Sequence, residues 1–322
     1  MVIKMKIFQE EEFIKVNGIQ QYVLHYPSKE NNCDVLVYLH GGPGLSMANF
    51  GYLFDEQWND LFHVVYYDQR GTGRTLLKNE RKAVRVEQMI EDLRQTVEYL
   101  KRKYDVNQVV ILGYSWGSVL GTIFVQKYPE LVRYYISLGQ VVDMVENEKV
   151  GYEIVEKRII EKGNKRDLRK LRKVGEYPNL VDMNAFLRQC GVVRKLQGKY
   201  KLAMSINKDI IKKYKNSPVF QWKDAWAMLE GLKANKELFK FLFQNNFYET
   251  SKEYKVPVYY LLGDRDFQTP YMLAEKYFDT IVALKKKKFF IHDAGHSANL
   301  DQPEQCRKVY QEIVQDNIKE VL

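Results

Sequence analysis

Residues 109–117 read Val109-Val110-Ile111-Leu112-Gly113-Tyr114-Ser115-Trp116-Gly117, and a helical pattern continues from Trp116 to Lys127. The unbroken apolar run Val109–Leu112 fits a strand buried on both faces. The Gly-x-Ser-x-Gly that follows lies between strand and helix, the setting that a nucleophile elbow requires. The reason is steric. A serine on so sharp a turn takes a strained backbone, and the residues two places on either side must be small. The turn then projects the hydroxyl at the end of the sheet. It also sets the N–H of Trp116 and the positive end of a helix dipole beside that hydroxyl. The pattern predicts Ser115 as a nucleophile.

The same strand-then-helix rhythm extends outward in both directions. Glu12–Val16 and Gln21–His25 are predicted strands joined through Asn17-Gly18, a hairpin signal. Val35–Leu39, His63–Tyr67 and Val132–Leu138 are predicted as further strands. Val86–Tyr104 has helical periodicity, with Met89, Leu93, Val97 and Leu100 on one face. Such alternation predicts an α/β fold with a parallel sheet covered by helices on both faces. Near Val141 the rhythm stops. From there to Ser251 the segments are helical and rich in Lys and Arg, among them Trp222–Leu232 and Lys236–Phe243. Strand character returns at Val256–Leu262 and Lys288–His292. A final helix is predicted from Pro303, a residue suited to the first turn, to Ile318. The expected organisation is a core in two pieces, 1–140 and 251–322, with a helical insertion over 141–250, the size of a small domain.

Four glycine-containing segments follow strand ends. His40-Gly41-Gly42-Pro43-Gly44 comes after Val35–Leu39. Its glycines allow close backbone approach to a ligand, while Pro43 has no N–H to donate. Gly41 and Gly42 are both candidates to pair with Trp116 as donors to an oxyanion. Gly263-Asp264-Arg265-Asp266-Phe267-Gln268-Thr269-Pro270 offers two carboxylates able to orient a catalytic histidine, and Asp143 is a third possibility. Thr269 is predicted to cap a helix beginning at Pro270, which leaves Asp266 in the loop. Ala294-Gly295-His296-Ser297-Ala298 places His296 in a loop free to lean over the sheet. Of the five histidines, His25 and His63 lie in or beside predicted strands, and His40 belongs to the glycine loop. His292 and His296 are four apart, but the intervening glycine argues against a helical metal pair, and no third ligand is evident. Asp68-Gln69-Arg70-Gly71-Thr72-Gly73-Arg74-Thr75 lacks the lysine and third glycine of a phosphate-binding loop. It is read as a structural turn with Arg70 in an ion pair. The chain order Ser115, Asp266, His296 differs from the orders of chymotrypsin-like and subtilisin-like enzymes.

Composition sets the outer limits. The chain has 322 residues, 45% hydrophobic and 28% charged, enough apolar material for a sizeable core. No window approaches the roughly 18 apolar residues of a membrane span. Met1–Glu12 is charged and lacks the apolar stretch of a signal peptide. Cys33, Cys190 and Cys306 are too sparse for a disulfide framework, which predicts a soluble cytoplasmic protein. The formal charge is +9, and nine Lys or Arg fall between Lys157 and Lys173 against Glu161 and Asp167. No nucleic-acid-binding motif accompanies that run, so it is read as a solvated helical face.

Taken together, HGGPG at 40–44, DQRGTGRT at 68–75, GYSWGS at 113–118, GDRDFQTP at 263–270 and AGHSAN at 294–299 resemble the proline iminopeptidases and related α/β-hydrolases. The resemblance covers about two thirds of the chain, the two core pieces. It implies an α/β-hydrolase fold with the insertion as a cap over the active site. It also implies Ser115 as nucleophile, Asp266 as acid, His296 as base, the N–H groups of Gly42 and Trp116 as oxyanion hole, and no cofactor. The chain departs from the family in two places. Tyr114 stands where those peptidases usually have Gly. Their early cap segment Trp-x-x-Trp-Glu, whose glutamate holds the substrate's amino terminus, is missing. Its nearest echo is Trp226-Ala227-Met228-Leu229-Glu230, where Glu230 follows Trp226 at helical spacing and is the one substrate-anchoring candidate. The expected activity is that of a serine hydrolase acting on a small molecule or short peptide. It is aminopeptidase-like by resemblance, with a carboxylesterase or a non-enzymatic binding protein as alternatives.

Overall fold

The computed structural model describes residues 9–30, 33–204, 208–250 and 252–318. The reading of residues 1–8 as lacking a leader segment lies outside them. Eight strands form one sheet: β1 (Glu10–Val16), β2 (Ile19–Tyr26), β3 (Asp34–Leu39), β4 (Phe62–Tyr67), β5 (Val109–Tyr114), β6 (Val132–Leu138), β7 (Val258–Gly263) and β8 (Lys286–Ile291). Their spatial order is β1-β2-β4-β3-β5-β6-β7-β8, antiparallel at β1/β2 and β2/β4 and parallel thereafter. The β1–β2 hairpin turns at Asn17 and Gly18, both at positive φ (41° and 78°), the backbone that a two-residue turn between right-twisted strands demands.

Every residue of β5 is buried, as its continuous apolar run requires. Helices α1 (Gly73–Lys78), α2 (Val86–Tyr104) and α3 (Trp116–Lys127) follow β4 and β5. On α2 the predicted stripe Met89, Leu93, Val97 and Leu100 is buried and joins Val119, Leu120 and Phe124 of α3 in one core layer. The opposite face of the sheet carries a second layer, with Trp58, Tyr38, Tyr66, Cys306 and Tyr310 among its buried members. Fully burying a side chain of this size contributes roughly 1.5–3 kcal/mol, so the two layers clamp the sheet and hold its strand ends in place.

After β6, as far as Thr250, the regular elements of the described chain are helices: α4 (Met144–Glu161), α5 (Lys165–Arg172), α6 (Met183–Lys199), α7 (Lys208–Lys215), α8 (Trp222–Ala234), α9 (Lys236–Gln244) and the short turn Phe247–Thr250. Glu253–Tyr254 then pairs with Val282–Ala283 as a separate two-stranded ribbon. Helices α4–α6 enclose an apolar cluster of their own around Val155, Ile159, Leu171, Val193 and Leu196. Phe186, Leu238, Phe239 and Leu242 instead pack onto the sheet's core, which ties the excursion to the rest of the chain. Charges in the basic stretch find local partners, including Arg158 with Glu161, Arg172 with Glu156, and Lys170 with Asp167. Asp143 caps α4 by accepting the N–H of Glu146. Helix α10 (Tyr271–Thr280) follows β7, and α11 (Pro303–Ile318) ends the described chain. Pro270 stands at the N-cap of α10 rather than inside its first turn, and Thr269 does not cap it. No helix among the described residues is long and apolar enough to cross a membrane.

Candidate active site

Ser115 takes φ 55° and ψ −120°, a conformation costing about 1–3 kcal/mol for a residue with a Cβ. Close packing on both sides enforces it. A Cβ on Gly117 would fall 1.9 Å from the Leu39 carbonyl oxygen, and one on Gly113 would fall 2.6 Å from the Gly117 carbonyl oxygen. Both glycines of the motif are therefore required by backbone contacts. The N–H of Ser115 donates to Leu138 O at 3.0 Å, which pins the turn to the neighbouring strand.

The side chains of Ser115, His296 and Asp266 form one line. Ser115 Oγ lies 3.0 Å from His296 Nε2, and His296 Nδ1 lies 2.9 Å from Asp266 Oδ2. All three residues are buried. Asp266 Oδ1 accepts the N–H groups of Gln268 (3.0 Å) and Thr269 (2.9 Å), and Oδ2 accepts the Thr269 hydroxyl (2.7 Å). Thr269, expected as a helix cap, instead directs its hydroxyl to this carboxylate and sits 3.1 Å from His296 Nδ1. Asp264, the rival carboxylate, faces the exposed His292 at 3.2 Å. Asp143, the third, serves its helix.

The glycine loop is tied to the elbow by His40 and Gln69, which lie in the quoted motifs but whose bonds the sequence did not indicate. His40 Nδ1 donates to Gly41 O (2.9 Å), and its Nε2 accepts the N–H of Gln69 (3.1 Å). Gln69 in turn donates to His40 O (3.1 Å) and accepts the indole N–H of Trp116 (3.0 Å). Burial pushes the His40 pKa down to about 4, with the Gly41 bond acting the other way, so the ring is neutral at pH 7. The backbone at Gly41 runs beside Ser115, where an added Cβ would lie 3.1 Å from the serine Cβ. Gly42 has φ 127°, open to glycine alone, and lines the space over Ser115. Trp116 opens α3, so its N–H has no acceptor within the helix. Arg70 pairs with Asp92 as expected, at 2.7 Å.

A cleft opens over Ser115 and His296. Tyr38, Phe50, Phe54 and Tyr114 supply aromatic walls, with Leu45, Met47, Met204, Ile210 and Leu300 between them. Gln268, Ser297 and Asn299 are its other polar lining residues, and no carboxylate borders it among the described residues. Tyr114 places its ring 5.1 Å from that of His296, and its hydroxyl lies 3.1 Å from Ser297 Oγ. Glu230 is not part of the cleft. Its carboxylate pairs with Arg81 and Lys233, each at 2.9 Å, and these bonds, Lys233 first, hold its pKa below the usual range. The helical spacing of Trp226 and Glu230 does put them on one face, but that face turns away from the cleft toward Arg81, which stacks on Trp226 at 4.7 Å. The anchoring role expected of Glu230 is therefore corrected: α8 seats its opposite side, at Gly231, against Gly44 of the glycine loop.

Residues 34–303 match a protein family described as the alpha/beta hydrolase fold. YbaC of Bacillus subtilis (strain 168), a probable aminopeptidase, is 24% identical over 274 residues, covering 84% of this chain and 85% of that protein. A proline iminopeptidase-related protein from Thermus thermophilus superposes with a TM-score of 0.65 at 19% identity, over 98% of this chain and all (100%) of the other. An esterase from Exiguobacterium antarcticum superposes with a TM-score of 0.60 at 17% identity, over 95% of this chain and 100% of its own.

Proposed function

This chain belongs to the alpha/beta hydrolase fold family, and from that membership and the geometry at the end of β5 we propose that it is a serine hydrolase whose substrate presents a neutral, apolar acyl group. His296 Nε2 takes the proton of Ser115 as Oγ attacks the carbonyl carbon. Asp266 fixes the tautomer with its proton on Nδ1 and stabilises the imidazolium that forms. The N–H groups of Gly42 and Trp116 receive the oxyanion, a role in which losing one donor costs about 10²–10³ in kcat. The proton on Nε2 then passes to the leaving alcohol or amine as its bond to the acyl carbon breaks. Water attacks the acyl-enzyme, gives its proton to His296, and the acid is released as the proton returns to Ser115. Residues 141–250 act as the cap, lending Met204 and Ile210 to the cleft wall.

The observation that carries the substrate class is the cleft lining. A substrate ammonium held without a counter-charge in an apolar cleft is too costly, and the one carboxylate expected to meet it lies elsewhere. An ester of an uncharged acid needs only the polar line and the apolar wall. The aminopeptidase reading has one support of its own, the near full-length likeness to a probable aminopeptidase. Turnover of p-nitrophenyl esters from acetyl to octanoyl, set against proline arylamides, separates the two. Each methylene buried should raise kcat/KM about fourfold until the cleft is filled. Preference for the proline arylamide, or no dependence on acyl length, refutes the proposal.

A further inference from the structure

Helix α8 has two unlike sides. Asp224, Ala227 and Gly231 are buried, and Gly231 lies so close to the glycine loop that a Cβ there would fall 2.2 Å from Gly44 O. Trp222, Trp226 and Leu229, at i, i+4 and i+7, form the opposite side and are 73%, 47% and 63% exposed, with Leu232 exposed on the flank. Folding gains nothing from leaving two tryptophans and two leucines of one helix in water, and grouped exposure of this kind marks a contact surface. Cations outnumber acids around it. Lys215 stands 5.1 Å from the Trp222 ring centre and Arg81 4.7 Å from that of Trp226. Lys223 and Lys233 are exposed on the same helix. Glu230 is shared by Arg81 and Lys233, Glu80 pairs with Lys82, and buried Asp224 pairs with Arg74 at 3.0 Å, so Arg81, Lys215, Lys223 and Lys233 together still outnumber Glu230 and leave the face net positive. The patch also connects inward. Trp222 packs on Phe220, Phe220 on Tyr214, and Tyr214 on Phe50, a wall of the cleft, with successive ring centres 5.4–5.5 Å apart.

We propose that the outer face of α8 is a docking surface for an anionic lipid bilayer, with Trp222, Trp226 and Leu229 entering the headgroup region and Arg81, Lys215, Lys223 and Lys233 meeting the lipid phosphates. Tryptophan favours that interface because its ring is apolar and its N–H polar. An apolar helical face flanked by Lys and Arg is the pattern of a helix lying in the plane of a membrane. A protein partner would need acidic groups over each of these cations, whereas an anionic bilayer presents them everywhere. Docking there would bring the loop bearing Gly42 within about one helix diameter of the lipid, since α8 rests on that loop.

The test measures binding and does not depend on turnover, so its failure leaves the hydrolase proposal standing. The full chain is sedimented with vesicles of phosphatidylglycerol and phosphatidylcholine, and with phosphatidylcholine alone. Each surface cation should favour the anionic vesicle about fivefold at low salt, fading as salt rises. Trp222→Ser/Leu229→Ser should lose about tenfold or more of the binding while hydrolysing a soluble ester as before. Brominated lipid should quench the tryptophan fluorescence of the wild type. Trp226→Ser, made separately, should weaken binding in the same direction. Equal binding to both vesicle types, no binding, or a double variant that binds like the wild type overturns the proposal. So does wild-type dimerisation that the double variant abolishes without any vesicle binding, since the face then serves a second copy of the chain.

Discussion

Asp266→Asn removes one charge and leaves the shape of the side chain almost unchanged, yet the backbone dictates which way the new amide must face. Oδ1 accepts two N–H groups, from Gln268 and Thr269. An NH₂ group there would set donor against donor twice. The amide oxygen must therefore take the Oδ1 position, which sends the NH₂ to the Oδ2 position, 2.9 Å from His296 Nδ1. Facing a donor, Nδ1 must accept, so the ring proton moves to Nε2 and points at Ser115 Oγ, 3.0 Å away. The base is then protonated on the very nitrogen that should receive the serine proton. A wrong-tautomer lesion of this kind costs about 10⁴ in kcat, equivalent to roughly 5 kcal/mol of transition-state stabilisation. Folding should suffer less, because the two backbone bonds persist and only the two bonds at Oδ2, to His296 and to the Thr269 hydroxyl, are weakened, about 1–3 kcal/mol in all. Stopped-flow acylation with a p-nitrophenyl ester measures the first effect and a urea melt the second. Asp264→Asn, whose partner His292 is exposed, should stay within about twofold as the control. Retention of more than a tenth of wild-type kcat by Asp266→Asn would falsify this account of the hydrogen-bonded line.

Three further outcomes follow from residues already described. Ser115→Gly should abolish turnover and yet be more stable than Ser115→Ala by about 1 kcal/mol, because only glycine relieves the strain at φ 55°. Urea melts of the two variants decide it, and a more stable alanine variant sinks the strain argument. Asp68 is buried, and burial first, against hydrogen bonds from Ser46 and the Arg74 N–H, raises its pKa from 3.8 to about 6. The folded chain keeps this proton where the unfolded chain has lost it, so Asp68 makes stability fall as pH rises from about 4 to 6, by up to about 3 kcal/mol. Wild type minus Asp68→Asn should show that decline. His40, whose lowered pKa acts with the opposite sign, is common to both proteins and cancels; a flat difference curve would remove the Asp68 assignment. Glu230→Gln should change kcat/KM by less than about twofold on esters and on proline arylamides alike, because a surface ion pair does little. A loss confined to the arylamide would return Glu230 to the substrate.

The fold was legible wherever a local rule governs many residues at once. Hydrophobic period separated α2, with its stripe Met89 to Leu100, from β5, apolar without interruption. The helices Val86–Tyr104, Trp116–Lys127 and Pro303–Ile318 and the strand Val132–Leu138 occur at their predicted bounds, and most other strands begin or end within a few residues of theirs. The elbow was legible too, because strand, small residue, serine, small residue and helix must adjoin in sequence to make one turn.

By itself the sequence determined the layered α/β architecture, the strained serine at the end of β5, and a short set of partners for it. Residue chemistry left Asp264, Asp266 and Asp143 open and resemblance pointed to Asp266; the tertiary structure sets Asp266 beside His296 because β7 and β8 are neighbours, a product of sheet order. It joined Thr269 to the carboxylate and, through Gln69, His40 of the glycine loop to Trp116 of the elbow. All three stand inside quoted motifs, but a motif does not say which atoms meet, and the bonds of Gln69 join segments distant in sequence. It also turned Glu230 outward. Helical spacing tells which residues share a face, as Trp226 and Glu230 do, but the direction of that face is set by what the helix packs against. Here Gly231 on Gly44 faced the other side toward the core and left the tryptophans in water.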